Sequence, residues 1–334
     1  IGYLARAVSG DFVDISQADA VSMFDHLLAS PGEMLLWHSV FVGLVILTVG
    51  QSVTRGLAAL VRILLPVLIV VLLLLAGFSM EEGDALQAIH FLFRWSWQDI
   101  TFGVVLSAVG HALFSLSVGM GAMFAYGAYM SKRMSIARAC SAVVAIDLIV
   151  AVLACLVIFP LAFAFNIDLD SGPSLAFVSL PIIFGSLPAG QLVGGFFFLL
   201  LVIAALTSAI SMLELFVAWL HEKFYIARFN AALLLGGAVW FIGIAVLLSF
   251  NHWDSKVLFG LNFFELLDKL TSFIMLPLGA ILLSLLVAWF IPRTVLRNEM
   301  IARQVSHFHL WYNILKYISI PVLVVITFAG WIGV

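Results

Sequence analysis

The sequence predicts an all-α integral membrane protein, and three observations lead there. Hydrophobic residues fill 64% of the 334 positions and charged residues only 10%, a balance far more apolar than a water-soluble core requires. The apolar stretches are long and unbroken, whereas a transmembrane barrel shows short alternating strands. The basic residues also segregate to one side of the spans that those stretches define. Each unsatisfied backbone amide costs several kcal/mol in hydrocarbon, so such a chain crosses as helices.

A crossing helix needs roughly 20 apolar residues. Eight stretches qualify, near 35–50, 56–78, 101–130, 136–165, 193–220, 229–250, 271–291 and 314–334. With the loop at 51–55 cytoplasmic, alternation places Arg55, Arg62, Lys132, Arg133, Arg138, Lys223, Arg228, Arg293, Arg297, Arg303 and Lys316 inside. Only Arg6, Arg94, Lys256 and Lys269 fall outside. Eleven against four satisfies the positive-inside rule for all eight spans together. Both ends of the chain are then extracytoplasmic, and residues 1–34 read as an extracellular loop, acidic through Asp11, Asp14, Asp19 and Asp25. Because the chain opens on Ile1 in a segment already outside the membrane, further sequence is expected ahead of it.

Residues 1–334 read as a single membrane domain, with the lipid bilayer as its surroundings. Cys140 and Cys155 lie on one expected helix, about 22 Å apart at the standard rise, and cannot bridge each other. The eight histidines show no zinc spacing, and neither a phosphate loop nor a nucleophile pairing is present. Nothing points to an enzyme or to a nucleic-acid partner. Oligomeric state is not legible.

The stretch from Thr101 to Met130 is too long for one upright span, and its centre reads Ser115-Leu116-Ser117-Val118-Gly119-Met120-Gly121. Two serines and two glycines in seven residues are poor helix material. The spacing predicts two half-helices, about 101–114 and 122–130, joined by an unwound segment near mid-membrane. Free carbonyls and amides are tolerated there only inside protein or along a cavity, and transporters use them to hold ions and substrates. A glycine-assisted kink or close helix packing is the alternative.

A second interruption is chemical. Ala204, Thr207, Ser208 and Ser211 fall at i, i+3, i+4 and i+7, one small and polar stripe on a helix. Hydroxyls with a carbonyl one turn back offer the neutral oxygens that a hard monovalent cation prefers. Packing against a neighbour, or bonding to the helix's own backbone, is the competing use.

Two carboxylates, Asp147 and Glu214, lie within expected spans, where a charge costs at least ~2.5–3.5 kcal/mol at a helix centre. Asp147 is deep and reads as functional. Glu214 reads either as functional or as an inner-surface group paired with Lys223 or a backbone amide. His111 precedes the unwound segment and either titrates near neutral pH or, as expected here, bonds a carbonyl. Residues 166–192 mix Asn166, Asp168, Asp170, Gly172, Pro173, Pro181, Gly185, Pro188 and Gly190 with apolar pieces such as Leu175–Leu180. They suggest an extracellular lid-like hairpin folded into a vestibule, or a loop resting on headgroups.

Taken in order and spacing, Phe114–Ala122 (FSLSVGMGA), Ala151–Pro160 (AVLACLVIFP), Leu175–Pro181 (LAFVSLP) and Ala205–Glu214 (ALTSAISMLE) resemble the neurotransmitter:sodium symporter family, especially its bacterial amino-acid transporters. The resemblance runs from about Gly2 to the C-terminus. It implies helices four to eleven of a five-plus-five inverted-repeat transporter, with three helices expected ahead of this sequence. It further implies Phe114 as an aromatic lid over substrate, Ser115 as a ligand of the first sodium site, and Ser117, Met120, Met212 and Ser208 in the substrate pocket. Ala204, Thr207 and Ser208 match the second sodium site, and Asp268 matches an outer-gate aspartate. An alignment anchored on Pro160 puts Ile146 where an asparagine ligand of the first site is usual. That site is then weakened, altered or served by Asp147. Asp147 is also the expected fixed carboxylate standing where animal members bind chloride, so chloride is not expected to be required. Met120, replacing an aromatic, would admit varied apolar side chains.

The resulting expectation is sodium-coupled symport of a neutral, hydrophobic amino acid by alternating access, in a bacterial inner membrane. Proton coupling through Asp147 or His111, and a non-transporting amino-acid sensor on the same fold, are the alternatives.

Overall fold

The computed structural model describes all residues except 52–56, 131–133, 167–172, 188, 254–259, 303–307 and 333–334. Arg55, Lys132, Arg133, Lys256 and Arg303 of the charge pattern, and Asp168, Asp170, Gly172 and Pro188 of the 166–192 segment, therefore lie outside the described residues.

The chain is helical throughout its spans. α1 (Gly2–Ser9) ends at Gly10, and α2 (Gln17–Ala29) begins where the Ser16 hydroxyl accepts the Asp19 N–H at 3.2 Å. α3 (Pro31–Val49) opens on a proline, whose missing N–H is harmless in the first turn. α4 (Leu57–Glu82) is followed by α5 (Ala85–Phe93), capped by Asp84 accepting from the Gln87 N–H at 2.9 Å. The chain continues through α6 (Phe102–Ser115), α7 (Ala122–Tyr129), α8 (Ile136–Ala164), α9 (Leu180–Ser186), α10 (Gly190–Phe224) and α11 (Arg228–Leu248). It closes with α12 (Phe263–Lys269), α13 (Leu276–Leu285), α14 (Arg293–Ala302), α15 (Phe308–Ile314) and α16 (Ile320–Ile332).

Among the described residues, seven continuous helical runs are long and apolar enough to cross a membrane. The eighth expected span is the α6–α7 pair, two short helices in place of one. The protein is thus a multi-pass membrane protein.

Three π-helical turns, Leu175–Ser179, Leu270–Met275 and Leu315–Ser319, run directly into α9, α13 and α16. In each case a proline, Pro181, Pro277 or Pro321, stands second in the helix that follows. A proline ring clashes with the carbonyl four residues back and donates no hydrogen bond. Widening the preceding turn relieves that clash without ending the helix. Hence residues 175–186, expected to be an interrupted loop, form helix, and Leu180, Ile183 and Phe184 bury completely.

Two compact units emerge: residues 1–94 with 150–263, and residues 95–149 with 264–334. In the first, α10 is the axis against which α1, α3, α4, α9 and α11 pack. One core gathers Phe12, Leu72, Leu161, Ile183, Phe184 and Phe198; another joins Val49, Ile210, Val217, Ala231 and Ala232. The Arg6 guanidinium meets Glu33 at 2.9 Å and ties α1 to α3. In the second unit α13 packs on α16, and α6 lies against both.

Candidate functional site

The break in the second unit is local in origin. The Thr101 hydroxyl caps α6 by accepting the Val104 N–H, and the helix runs to Ser115. The next residues then alternate into left-handed backbone: Ser117 has φ 53°, Gly119 φ 93° and Gly121 φ 82°. Glycine enters that region freely, while a serine there is strained and needs its surroundings to hold it. The N–H of Ser117 donates to Phe114 and that of Val118 to Leu113, leaving α7 to start afresh at Ala122.

Two glycines let this unwound strand lie directly on α13. A Cβ on Gly119 would collide with the Leu276 carbonyl, and one on Gly279 with the Gly119 carbonyl. Gly279 was not legible as part of the site, because its role is defined by a segment far away in the sequence. The observed half-helices match the expected ones to within a residue at each junction.

At the break, the Ser115 hydroxyl donates to Asp147 Oδ2 at 2.9 Å. The carboxylate of α8 therefore faces the end of α6, with Ser115 exposed and Asp147 half-buried. Ile146, one residue earlier and 47% exposed, points elsewhere, since successive helical residues are turned by about 100°. The hydroxyl and the carboxylate are oxygen donors of the kind hard cations take. Phe114 is 54% exposed beside this set, while Ser117 and Met120 are half-buried.

His111 lies one turn before Phe114 and lines a cavity of about 570 Å³ with Ser107, Phe114, Ser272, Leu276 and Pro277. The expected carbonyl partner is not there: His111 is exposed and makes no hydrogen bond among the described residues. Its ring faces open cavity instead of backbone. Asp268, on α12, is likewise exposed, without a partner among the described residues.

In the first unit, the α10 stripe uses its hydroxyls on its own backbone. Thr207 Oγ1 donates to the carbonyls of Ile203 and Ala204, each at 3.0 Å, and Ser211 Oγ donates to Thr207 at 2.8 Å. A hydroxyl that sends its proton backward keeps its lone pairs outward. Ser208 is exposed and makes no such bond, and Met212, one turn on, is 48% exposed on the same side.

Glu214 differs from the expectation. Its partner is not Lys223 but Arg228, whose Nη2 donates to Oε2 at 2.6 Å while the carboxylate is buried. Arg228 also donates to the carbonyls of Gln51 at 2.9 Å and Val49 at 3.2 Å, joining α10, α11 and the end of α3. Lys223 instead lies over the rings of Trp219 and Phe224. The Glu214–Arg228 pair thus fastens α10 to α11 and to the end of α3.

Helices of membrane length, one of them broken around an oxygen-lined segment, define a secondary transporter. The family comparison names which kind: the model of the sodium:neurotransmitter symporter family matches residues 18–332, and the chain belongs to that family. It is 31% identical to the sodium-dependent transporter YhdH of Bacillus subtilis, over 99% of this chain and 74% of that one. It is 28% identical to a sodium-dependent transporter of Haemophilus influenzae, over 98% of this chain and 73% of that one. Among solved structures, MhsT in complex with L-phenylalanine superposes with a TM-score of 0.88 and 34% identity, covering 98% of this chain and 75% of that one.

Proposed function

We propose that the chain carries a neutral, apolar amino acid together with sodium, by alternating access across a bacterial inner membrane. The observation that carries this reading is the Ser115–Asp147 hydrogen bond at the break between α6 and α7. It sets a carboxylate and a hydroxyl beside unwound backbone, a donor set suited to sodium and to the polar end of an amino acid. Membership of a sodium symporter family and the likeness to a transporter solved with L-phenylalanine support the same reading.

In this account Ser115 and Asp147 hold one sodium ion, and the Asp147 charge makes chloride unnecessary. Ala204, Thr207 and Ser208 hold a second through one carbonyl and two hydroxyls. Phe114, Ser117 and Met120 of the second unit face the substrate, with the Met120 thioether adapting to its side chain. Asp268 and His111 belong to the outer gate, and residues 166–192 form the outer lid of a single transporter domain. Sodium drives the cycle only by binding the outward-facing state better than the inward-facing one.

The test is the thermal stability of the full-length protein across a panel of amino acids, with sodium against potassium. Ligands that bind the folded state raise apparent stability by mass action. The proposal expects a neutral apolar amino acid to stabilise only with sodium, and without chloride. Stabilisation by the same amino acid in potassium would contradict it and favour proton coupling or a sensor.

A further inference from the structure

The end of the second unit between Leu286 and Tyr317 carries a cationic patch that transport does not use. A π turn, Leu286–Phe290, ends the span, the chain bends at Ile291 and Pro292, and α14 leaves as a short amphipathic helix. The bend is fixed from within: the Tyr312 hydroxyl donates to the Ala288 carbonyl, and Leu296 packs on Phe308 and Tyr312.

Three cations surround it. The Arg293 guanidinium lies 4.6 Å from the centre of the Tyr312 ring, and Lys316 Nζ lies 4.7 Å from that of Trp289 and 5.5 Å from that of Tyr317. Arg297 follows Arg293 by one helical turn, on the same face of α14, and is exposed. None of the three has a carboxylate partner among the described residues, and Glu299, the acidic residue of α14, is engaged in a contact of its own. A cation resting on a ring face keeps its N–H donors free, which one held by a carboxylate does not.

Around these donors Trp289, Phe290 and Tyr317 present large aromatic surface outward, Phe290 being 77% exposed. The charge pattern puts this end in the cytoplasm, where leaflets carry anionic headgroups. Free donors above an aromatic collar, at the ends of two spans, complement a headgroup phosphate and the upper acyl chains beneath it.

We propose that Arg293, Arg297 and Lys316 bind the headgroup phosphate of an anionic phospholipid, with Trp289 and Tyr317 against its acyl chains. The test adds phosphatidylglycerol, phosphatidylcholine or inorganic phosphate to the full-length protein in neutral detergent. Bound lipid is counted by native mass spectrometry and stability is read by melting. Phosphatidylglycerol is expected to bind and raise the melting temperature, and the other two to do neither. Each charge removed in R293Q, R297Q and K316Q lowers apparent affinity about fivefold, while R293K/R297K retains it. Unchanged phosphatidylglycerol binding by the triple glutamine variant would overturn the proposal. So would an equal shift with inorganic phosphate, which would mark a free-anion site instead of a lipid one.

Discussion

Asp147 and Glu214 are both carboxylates within membrane spans, and the protein treats them in opposite ways. Glu214 is buried, clamped by Arg228 at 2.6 Å, and surrounded by the aliphatic core of α3, α10 and α11. Asp147 is half-buried beside a helix break, and its partner is a single neutral hydroxyl, that of Ser115. The first carboxylate has a cation within the fold; the second has no cation partner among the described residues. Within one chain, then, an ionisable residue in a span is in one place paired with a cation inside the fold and in another left with a neutral partner, and only the second is open to the role proposed above.

Breaking each carboxylate's contact separates the two roles. The largest effect is expected from Arg228→Gln, which strands a buried charge and lowers stability by about 3–5 kcal/mol. Denaturant unfolding in detergent reads it, and adding Glu214→Gln should recover part of the loss. Uptake per folded molecule should be unchanged in that double variant. Asp147→Asn, by contrast, should leave the melting temperature without ligand nearly unaltered. Losing a charge-assisted contact of about 1.5–3 kcal/mol should raise the sodium needed for half-maximal uptake about tenfold to a hundredfold.

Gly279→Ala tests whether the break must rest on α13. Its Cβ would meet the Gly119 carbonyl, an overpacking of about 1–3 kcal/mol that should reduce amino-acid affinity and stability together. The smallest effect is expected from Thr207→Val, whose hydroxyl proton serves only its own helix. Stability should hardly change, while sodium affinity should fall by a factor of a few up to about ten. If sodium affinity also stays constant, Thr207 is a packing residue and the contrast between the units sharpens onto Asp147 alone.

The break was legible because its cause is local: serines and glycines between 115 and 121 cannot sustain a helix, and they fail within a residue of the expected points. The Ser115–Asp147 contact was half legible. An alignment spaced from Pro160 is uncertain by one residue, and one residue turns a side chain by about 100°, enough to exchange Ile146 for Asp147. The partner of Glu214 was not legible, since Lys223 and Arg228 both lie within reach along the chain. The turn after α10 decides which folds back, and aromatic neighbours claim Lys223. The helix at 175–186 hid behind Pro181, although the same proline after a widened turn recurs at Pro277 and Pro321.

The most direct test is uptake of a radiolabelled neutral amino acid such as phenylalanine into proteoliposomes by the full-length protein. The wild type and Asp147→Asn are compared under inward gradients of sodium or potassium. The account predicts uptake by the wild type with sodium only, and little by Asp147→Asn at the same sodium concentration. Uptake with wild-type sodium dependence in Asp147→Asn would contradict it, and would leave the carboxylate at the break without the role assigned to it.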